Sequence, residues 1–189
     1  MKTNKIKPST KAKITKAFKK DLSVPEIRDA VIEECPKITL ERIRTIIRKH
    51  LKDLCDKLWS DAVKIRDGGK CVISGKRDNL NSHHLIGRSN YRFRWDIMNG
   101  VTLSPDHHTL GRKISAHGST DVTDRFAEWM KKYKPKRWAW FQKHRDDKQQ
   151  IKVDIYMLLE TSRRLTEETE ELQSKPKVDI LVRKKVPDA

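Results

Sequence analysis

The sequence lacks any long apolar run, and its hydrophobic content is low. Hydrophobic residues make up 35% of the 189 residues and charged residues 37%. No stretch approaches the roughly 18 apolar residues of a membrane-spanning helix. The start, MKTNKIKPSTKAK, is not followed by the apolar segment of a secretory signal. We therefore expect no membrane partner and no single large core.

Cysteine is also scarce. The three cysteines, Cys35, Cys55 and Cys71, are widely spaced and odd in number. This pattern is more typical of reduced thiols in a cytosol than of a disulfide framework, and it predicts a cytoplasmic location.

Acidic residues are few relative to basic ones. Lysine and arginine total 43 against 26 aspartates and glutamates, which gives a net charge of +17. A solvated surface can carry this charge without a partner. An excess of this size is more often found in proteins that bind polyanions, so nucleic acid is the favoured partner.

Residues 1–56 read as a basic arm followed by a helical module. Ser23 and Glu26 form a capping-box pattern, and Thr39 can cap a third helix that extends as far as Arg66. We expect the arm to become ordered near Ile14, and Pro36 to end the second helix. The inner face of the third helix is predicted to consist of Leu40, Ile43, Ile46, Ile47, Leu51, Leu54 and Leu58.

The second and third helices resemble a helix-turn-helix module. In that interpretation Arg42, Arg44, Arg48 and Lys49 face DNA, and Arg44 and Arg48 are the candidates for contacts with base edges. A helical packing domain with a solvated basic face is an equally good interpretation.

Residues 57–145 hold two short alternating segments, KCVISGK and NGVTLSP, which predict two strands. A helix over DVTDRFAEWMKKY follows, with Phe126, Trp129 and Met130 on its inner face. The next segment, KKYKPKRWAW, is basic and aromatic, and its Lys134, Lys136 and Arg137 are predicted to contact DNA phosphates.

Residues 146–175 predict a separate helix, and residues 176–189 a flexible tail. Seven positions follow coiled-coil spacing: Ile151, Ile155, Leu158, Ser162, Leu165, Thr169 and Leu172. Two of the seven are polar, so both a dimer seam and a helix that folds back on the domain are open.

The histidines are concentrated around NGVTLSPDHH. His83, His84 and His108 flank that strand, and His117 follows. Imidazole is a common ligand for divalent metals and a common general base. Because adjacent residues of a strand point to opposite faces, one of His83 and His84 can bind metal while the other transfers a proton. The alternative is that these histidines are surface or packing residues.

Together these motifs resemble the HNH endonuclease family in its bacteriophage form. The resemblance covers about residues 57–131 and includes LWSDAVKIRDGGKCVISGK, NSHHLIGRS, RWDIMNGVTLSPDHHTL, ISAHG and FAEWM. It implies a ββα-metal fold for that part of the chain. With the helices predicted on either side, the expected fold class is mainly α with a small ββα-metal core, a helical N-terminal module and a C-terminal helix. For a phage-encoded protein the expected location is the bacterial host cytoplasm.

The resemblance also implies the roles of individual residues. His84 matches the general base, and Asn99 the residue that braces the loop. His83 and His108 match ligands of one divalent ion (Mg²⁺, Mn²⁺, Ni²⁺ or Zn²⁺), and His117 a third ligand. Many members carry a further structural zinc. Here the corresponding positions are Cys71, Ser74, Ser104 and His107, and because serine is rarely a zinc ligand we expect no structural zinc.

The expected activity is metal-dependent hydrolysis of DNA phosphodiester bonds, with Arg88, Arg92 and Arg94 clamping the flanking phosphates. A monomer should nick, whereas a homodimer could break both strands. The competing hypothesis is a catalytically inactive DNA-binding regulator or packaging accessory protein, and an RNA-directed nuclease is a third.

Overall fold

The computed structural model describes residues 6–174, which are mainly helical with one small antiparallel sheet. At this level the predicted fold class is confirmed. The elements are α1 (Pro8–Phe18), α2 (Val24–Asp29), α3 (Leu40–Arg66), β1 (Asn81–His84), β2 (Gly100–Leu103), α4 (Thr120–Tyr133), α5 (Pro135–His144) and α6 (Ile155–Ser174). A short 3-10 turn, Ile97–Asn99, precedes β2, and a wide turn, Asp106–Leu110, follows it.

The long helix α3 organises the molecule. Thr39 begins it as predicted, because its hydroxyl accepts a hydrogen bond from the backbone N–H of Arg42 at 3.1 Å. The helix continues without interruption past residue 56, where the sequence suggested a boundary. Its buried residues recur at helical spacing along one stripe: Ile43, Ile47, Leu51, Cys55, Trp59, Ala62 and Val63.

The N-terminal helices α1 and α2 pack on α3. Helix α1 begins at Pro8, so the chain is helical well before the predicted point near Ile14. The side chain of Glu26 accepts hydrogen bonds from the backbone N–H and the hydroxyl of Ser23, as the capping pattern predicted. The prediction that Pro36 ends the second helix is wrong: α2 ends at Asp29, and turns follow it.

Helix α6 folds back along α3, and Leu158 and Leu165 are fully buried in the shared core. The Sγ of Cys55 lies 3.4 Å from the carbonyl oxygen of Leu158. Thr161, rather than the expected Ser162, is the buried polar residue of this face. The sequence left two interpretations of this helix open, a dimer seam and a helix that folds back on the domain. In the structure the helix folds back. The predicted tail lies outside the described residues.

The two strands β1 and β2 pair antiparallel, with His83 opposite Val101 and His84 opposite Gly100. The prediction of a strand for KCVISGK is wrong. That segment forms a tight turn in which Gly75 has φ of 74° and donates to the carbonyl of Cys71 at 2.9 Å. The turn attaches to β2 through the Val72 N–H, which donates to Thr102 at 2.9 Å.

Helix α4 and strand β2 form a second core. Val101 and Leu103 are both buried, and they share this core with Phe126, Trp129 and Met130, which are the residues predicted for the inner face of the helix. The basic and aromatic segment after α4 forms a further helix, α5, which is not among the predicted helices.

Candidate metal centre and neighbouring histidine

Three imidazoles converge on one point. The ligand nitrogens of His83, His108 and His117 all lie within 4.8 Å of one another, and this cluster can hold a metal ion. His83 comes from β1 and His108 from the turn after β2. His117 is positioned by its backbone N–H, which donates to the carbonyl of His108 at 3.0 Å. The structure thus brings together all three predicted ligands.

The electrostatics of the cluster favour neutral imidazoles. Burial, helped by the positive fields of His117 and His108, lowers the pKa of His83 to about 3. Burial also lowers the pKa of His108. A metal binds imidazole through a lone pair that protonation removes, so these shifts keep the ligand form available at neutral pH. A set of three nitrogen donors suits Zn²⁺, Ni²⁺ or similar ions better than Mg²⁺, which prefers oxygen ligands.

His84 lies on the other face of β1, as alternation along a strand predicts. Its ring stacks on the indole of Trp59, with ring centres 3.6 Å apart and planes 13° apart. Its Nε2 is 2.9 Å from the carbonyl oxygen of Arg94. Because a carbonyl can only accept, Nε2 carries the proton in the neutral ring and Nδ1 keeps its lone pair.

The surroundings of His84 keep it neutral. Burial is the main cause, and the charges of Arg88 and Arg94 add to it; together they lower the pKa of His84 to about 4. The ring lines a recess of about 190 Å³ together with Asp56, Trp59 and Arg88. A neutral imidazole with one free nitrogen at an open recess can accept a proton from a bound water.

Asn99 is fully buried, and its side chain holds the loop after β1. Its Oδ1 accepts from the N–H of Ile86 at 2.6 Å, and its Nδ2 donates to the carbonyls of Ile86 and Phe93 at 2.9 and 3.0 Å. The amide satisfies both ends of this loop, so its position is the bracing position that the resemblance implied.

Arg94 occupies a different place from the one predicted. Its guanidinium donates two hydrogen bonds to Asp56, at 2.9 and 2.7 Å, and a third to the carbonyl of Arg88. Asp56 also accepts from the indole of Trp95 at 2.8 Å. Arg94 is therefore held in the scaffold that positions His84 and is poorly placed to clamp a phosphate. Sequence reasoning missed Asp56, because it lies on α3 far from the histidines in the chain.

The other side chains that were predicted to contact phosphates differ in their exposure and in whether they are already paired with an acidic residue. The exposed side chain of Arg88 has no hydrogen bond or ion pair with any residue between 6 and 174, and its charge lowers the pKa of both His84 and His108. Arg92 pairs with Asp147 at 2.7 Å. Arg137 is mostly buried and its Nη2 is held by Asp67 at 3.1 Å, so that only its Nη1 is left without a partner among residues 6–174. Lys134 is half-buried and Lys136 exposed.

The candidate base-reading residues lie away from this site. Arg44 and Arg48 are near the start of α3 and pair with Glu41 at 3.7 and 2.5 Å. Trp59 lies eleven positions after Arg48, which corresponds to about 16 Å along the helix axis. Any contact that these arginines make with DNA would therefore be separate from the histidine site.

A second cluster contains the positions that the resemblance aligned with a structural zinc. The Sγ of Cys71 lies 3.8 Å from Nδ1 of His107, and the Ser104 hydroxyl lies 3.1 Å from the same nitrogen. The Ser74 N–H donates to Cys71 at 3.5 Å. Burial raises the pKa of Cys71, but hydrogen bonds from His107 and Ser74 outweigh burial and lower the pKa to about 5. That no zinc binds here stays a prediction.

The comparisons with known proteins add no assignment. The chain matches no protein-family model, and no curated protein or solved structure shows significant similarity to it. Within residues 6–174, no helix has the length and apolar character needed to cross a membrane.

Proposed function

We propose that this protein is a metal-dependent endonuclease of the HNH type that hydrolyses DNA phosphodiester bonds. The observation that carries the proposal is that His83 and His84, adjacent on β1, lie in two different environments. His83 faces a three-imidazole cluster with His108 and His117, and the next residue, His84, is a neutral imidazole with a defined tautomer. A metal site beside a general base is the minimum equipment for activating water against a phosphate.

In the proposed reaction, Nδ1 of His84 takes a proton from water, and the resulting hydroxide attacks the phosphorus. The bond to the 3′ oxygen breaks and the departing oxygen takes up a proton from solvent, which leaves 5′-phosphate and 3′-hydroxyl ends. His83, His108 and His117 would hold the ion. When bound, a divalent ion supplies positive charge and Lewis acidity to the scissile phosphate and the departing oxygen.

Arg88 is the best placed of the predicted phosphate contacts. Its guanidinium is exposed, and its field reaches both the general base and the metal cluster. A phosphate between the two halves of the site would give Arg88 a partner and would offset its charge. Arg92, Lys134 and Lys136 would add contacts with flanking phosphates, and binding should weaken steeply with salt.

We further propose that the protein nicks as a monomer. The helix that could have formed a dimer seam, α6, already buries Leu158 and Leu165 against α3. One active site then meets one strand. A helix-turn-helix role for α2 and α3, with Arg44 and Arg48 reading bases, remains part of the proposal and would supply any sequence preference.

The test is incubation of supercoiled plasmid with Mn²⁺, Ni²⁺, Zn²⁺ or Mg²⁺, comparing the wild type with His84→Ala. General-base catalysis typically contributes about 10²–10⁴-fold, so we expect nicking to fall by that factor while DNA affinity changes little. His50→Ala, on α3 outside the site, serves as the matched control. Cleavage by His84→Ala at the wild-type rate would overturn the assignment, and binding without cleavage by the wild type would favour an inactive DNA-binding protein.

A further inference from the structure

The C-terminal end of α4 presents an aromatic ring to solvent among basic residues. Tyr133 is 46% exposed, although most large apolar and aromatic side chains of the described chain are covered. The Nζ of Lys132 lies 5.2 Å from the centre of its ring. The indole of Trp129 supports the ring from the core side, with ring centres 5.3 Å apart. Tyr133 is therefore held by contacts with Lys132 and Trp129, and nearly half of its surface stays open to solvent.

A recess of about 390 Å³ opens beside this ring, which is within the size range of small-ligand sites. Met98, Tyr133 and Pro135 give it an apolar wall, and Lys134, Lys136 and Arg137 supply positive charge. No acidic residue of the described chain lines it. An apolar platform edged by cations suits a ligand with a flat ring and a negative charge.

Two sets of hydrogen-bond donors at the recess lack acceptors. The Nη1 of Arg137 is buried and has no partner among residues 6–174, whereas Nη2 is held by Asp67. Helix α5 begins at Pro135, so the N–H groups of Lys136 and Arg137 fall in its first turn and have no acceptor within the helix. Donors at the start of a helix favour a phosphate or another anion.

The recess is tied to the nuclease core. Asp67, which holds Arg137, also accepts a hydrogen bond from the N–H of Thr102 in β2 at 2.8 Å. Met98 precedes the buried Asn99 in the chain. A ligand in the recess would therefore sit at a fixed distance from the histidines of β1.

We propose that this recess binds one unpaired nucleotide of DNA. The base stacks on Tyr133, and the phosphate lies against Lys136, Arg137 and the first turn of α5. In a duplex the faces of the bases are hidden within the stack, so a site of this kind selects single-stranded or branched DNA over plain duplex. The identity of the ligand as DNA rests on the proposed function, but its binding here does not depend on cleavage.

The test measures binding without a metal. A labelled single-stranded oligonucleotide and the matching duplex are titrated with the full chain in chelator at fixed salt, by fluorescence anisotropy. Loss of one base–aromatic stack corresponds to about 5- to 150-fold in affinity. We expect Tyr133→Ala to weaken single-strand binding by that factor and duplex binding less than twofold. Tyr133→Phe should bind as the wild type does.

Tyr156→Ala is the matched control, because Tyr156 is also an exposed tyrosine (73%) but lies on α6. The proposal is overturned if Tyr133→Ala binds the oligonucleotide as tightly as the wild type, or loses single-strand and duplex binding equally. If the protein still nicks plasmid normally, either of these results refutes the recess proposal and does not affect the nuclease assignment. Tyrosine-dependent single-strand binding with no nicking under any metal would refute the nuclease and support the recess.

Discussion

Trp59 and His84 form a stacked pair whose ring centres are 3.6 Å apart. The contact joins the longest helix to the two-stranded sheet, because Trp59 lies on α3 and His84 on β1. It buries one face of the imidazole, which contributes to its lowered pKa, and it fixes the ring plane. The indole N–H donates to the carbonyl of Asp96 at 2.8 Å, so the platform is itself held in place.

Gly100, which pairs with His84 across the sheet, makes this stack possible. A Cβ on Gly100 would lie 2.4 Å from Cγ2 of Val63 and 2.8 Å from Cζ2 of Trp59. We expect Gly100→Ala to lower the free energy of unfolding by about 1–3 kcal/mol through overpacking. Because Trp59 must shift, nicking by the folded fraction should also fall. Chemical denaturation and the plasmid assay measure the two effects.

Two further variants check that steric overlap is the cause. Gly87→Ala should leave stability nearly unchanged, because a Cβ there would lie 4.0 Å from the Oγ of Ser89, which is an ordinary contact. Val63→Ala should restore part of the lost activity in the Gly100→Ala background by making room. If Gly100→Ala were as stable and active as the wild type, the stack could not depend on this close approach.

The metal cluster makes a separate prediction at His117, whose exposed side chain can be removed with little effect on the fold. Loss of an outer-shell partner weakens metal binding by about 10–100-fold, and we expect His117→Ala to weaken Ni²⁺ or Zn²⁺ binding at least as much. Calorimetric titration gives the affinity, and circular dichroism checks the fold. His107→Ala is the informative control, since its ring lies by Cys71. Equal losses in both variants would count against the three-histidine site.

The position of His83 and His84 on opposite faces could be predicted from the sequence, because alternation along a strand depends only on local geometry. The Trp59 stack and the Asp56–Arg94 pair could not be predicted. They join residues far apart in the chain, and α3 had to be placed against the sheet first. The strand prediction for KCVISGK was wrong because the alternation of apolar and polar residues in this segment is too short to distinguish a strand from a turn.

The ends of helix α5 carry residues that are typical of helix ends. Pro135 stands at its first position, where proline is favoured, and its last turn carries Lys143 and His144. Lys134, Lys136 and Arg137 also suit contact with DNA phosphates, and the sequence predicted only that role for them. The structure shows that Arg137 is tied to Asp67, a pairing over 70 residues that no local pattern could reveal.

The environment of Asp67 leads to a prediction for how the free energy of unfolding depends on pH. Burial raises its pKa, but Arg66 and Arg137 outweigh burial, so its pKa lies below the ordinary value of about 3.9. A lowered pKa in the folded state stabilises the protein at pH values above about 4, and this contribution is lost as the pH falls further. Asp67→Asn leaves two mostly buried arginines unpaired, so at pH 7 we expect a loss of about 3–5 kcal/mol.

Urea denaturation from pH 7 down to pH 3 measures this effect. The gap between the wild type and Asp67→Asn should be constant to about pH 4 and then narrow. Asp61→Asn removes the exposed pair with Lys57 and should cost less than about 1 kcal/mol. A gap that widened on acidification would mean that the pKa of Asp67 is raised, not lowered, in the folded protein.

The cluster of Cys71, Ser74, Ser104 and His107 predicts that a zinc site can be completed by two substitutions. The separation of 3.8 Å between Cys71 and His107 suits two ligands on one tetrahedral ion with bonds of about 2.0–2.3 Å. Ser74 and Ser104 contact this pair, so Ser74→Cys with Ser104→Cys should supply the missing thiolates. In the His117→Ala background, which weakens the other cluster, we expect one tightly held zinc per chain and a higher melting temperature.

Elemental analysis after dialysis against weak chelator measures the metal. Adding Cys71→Ala should abolish the gain; zinc retained without that thiol would show that the four positions do not share an ion.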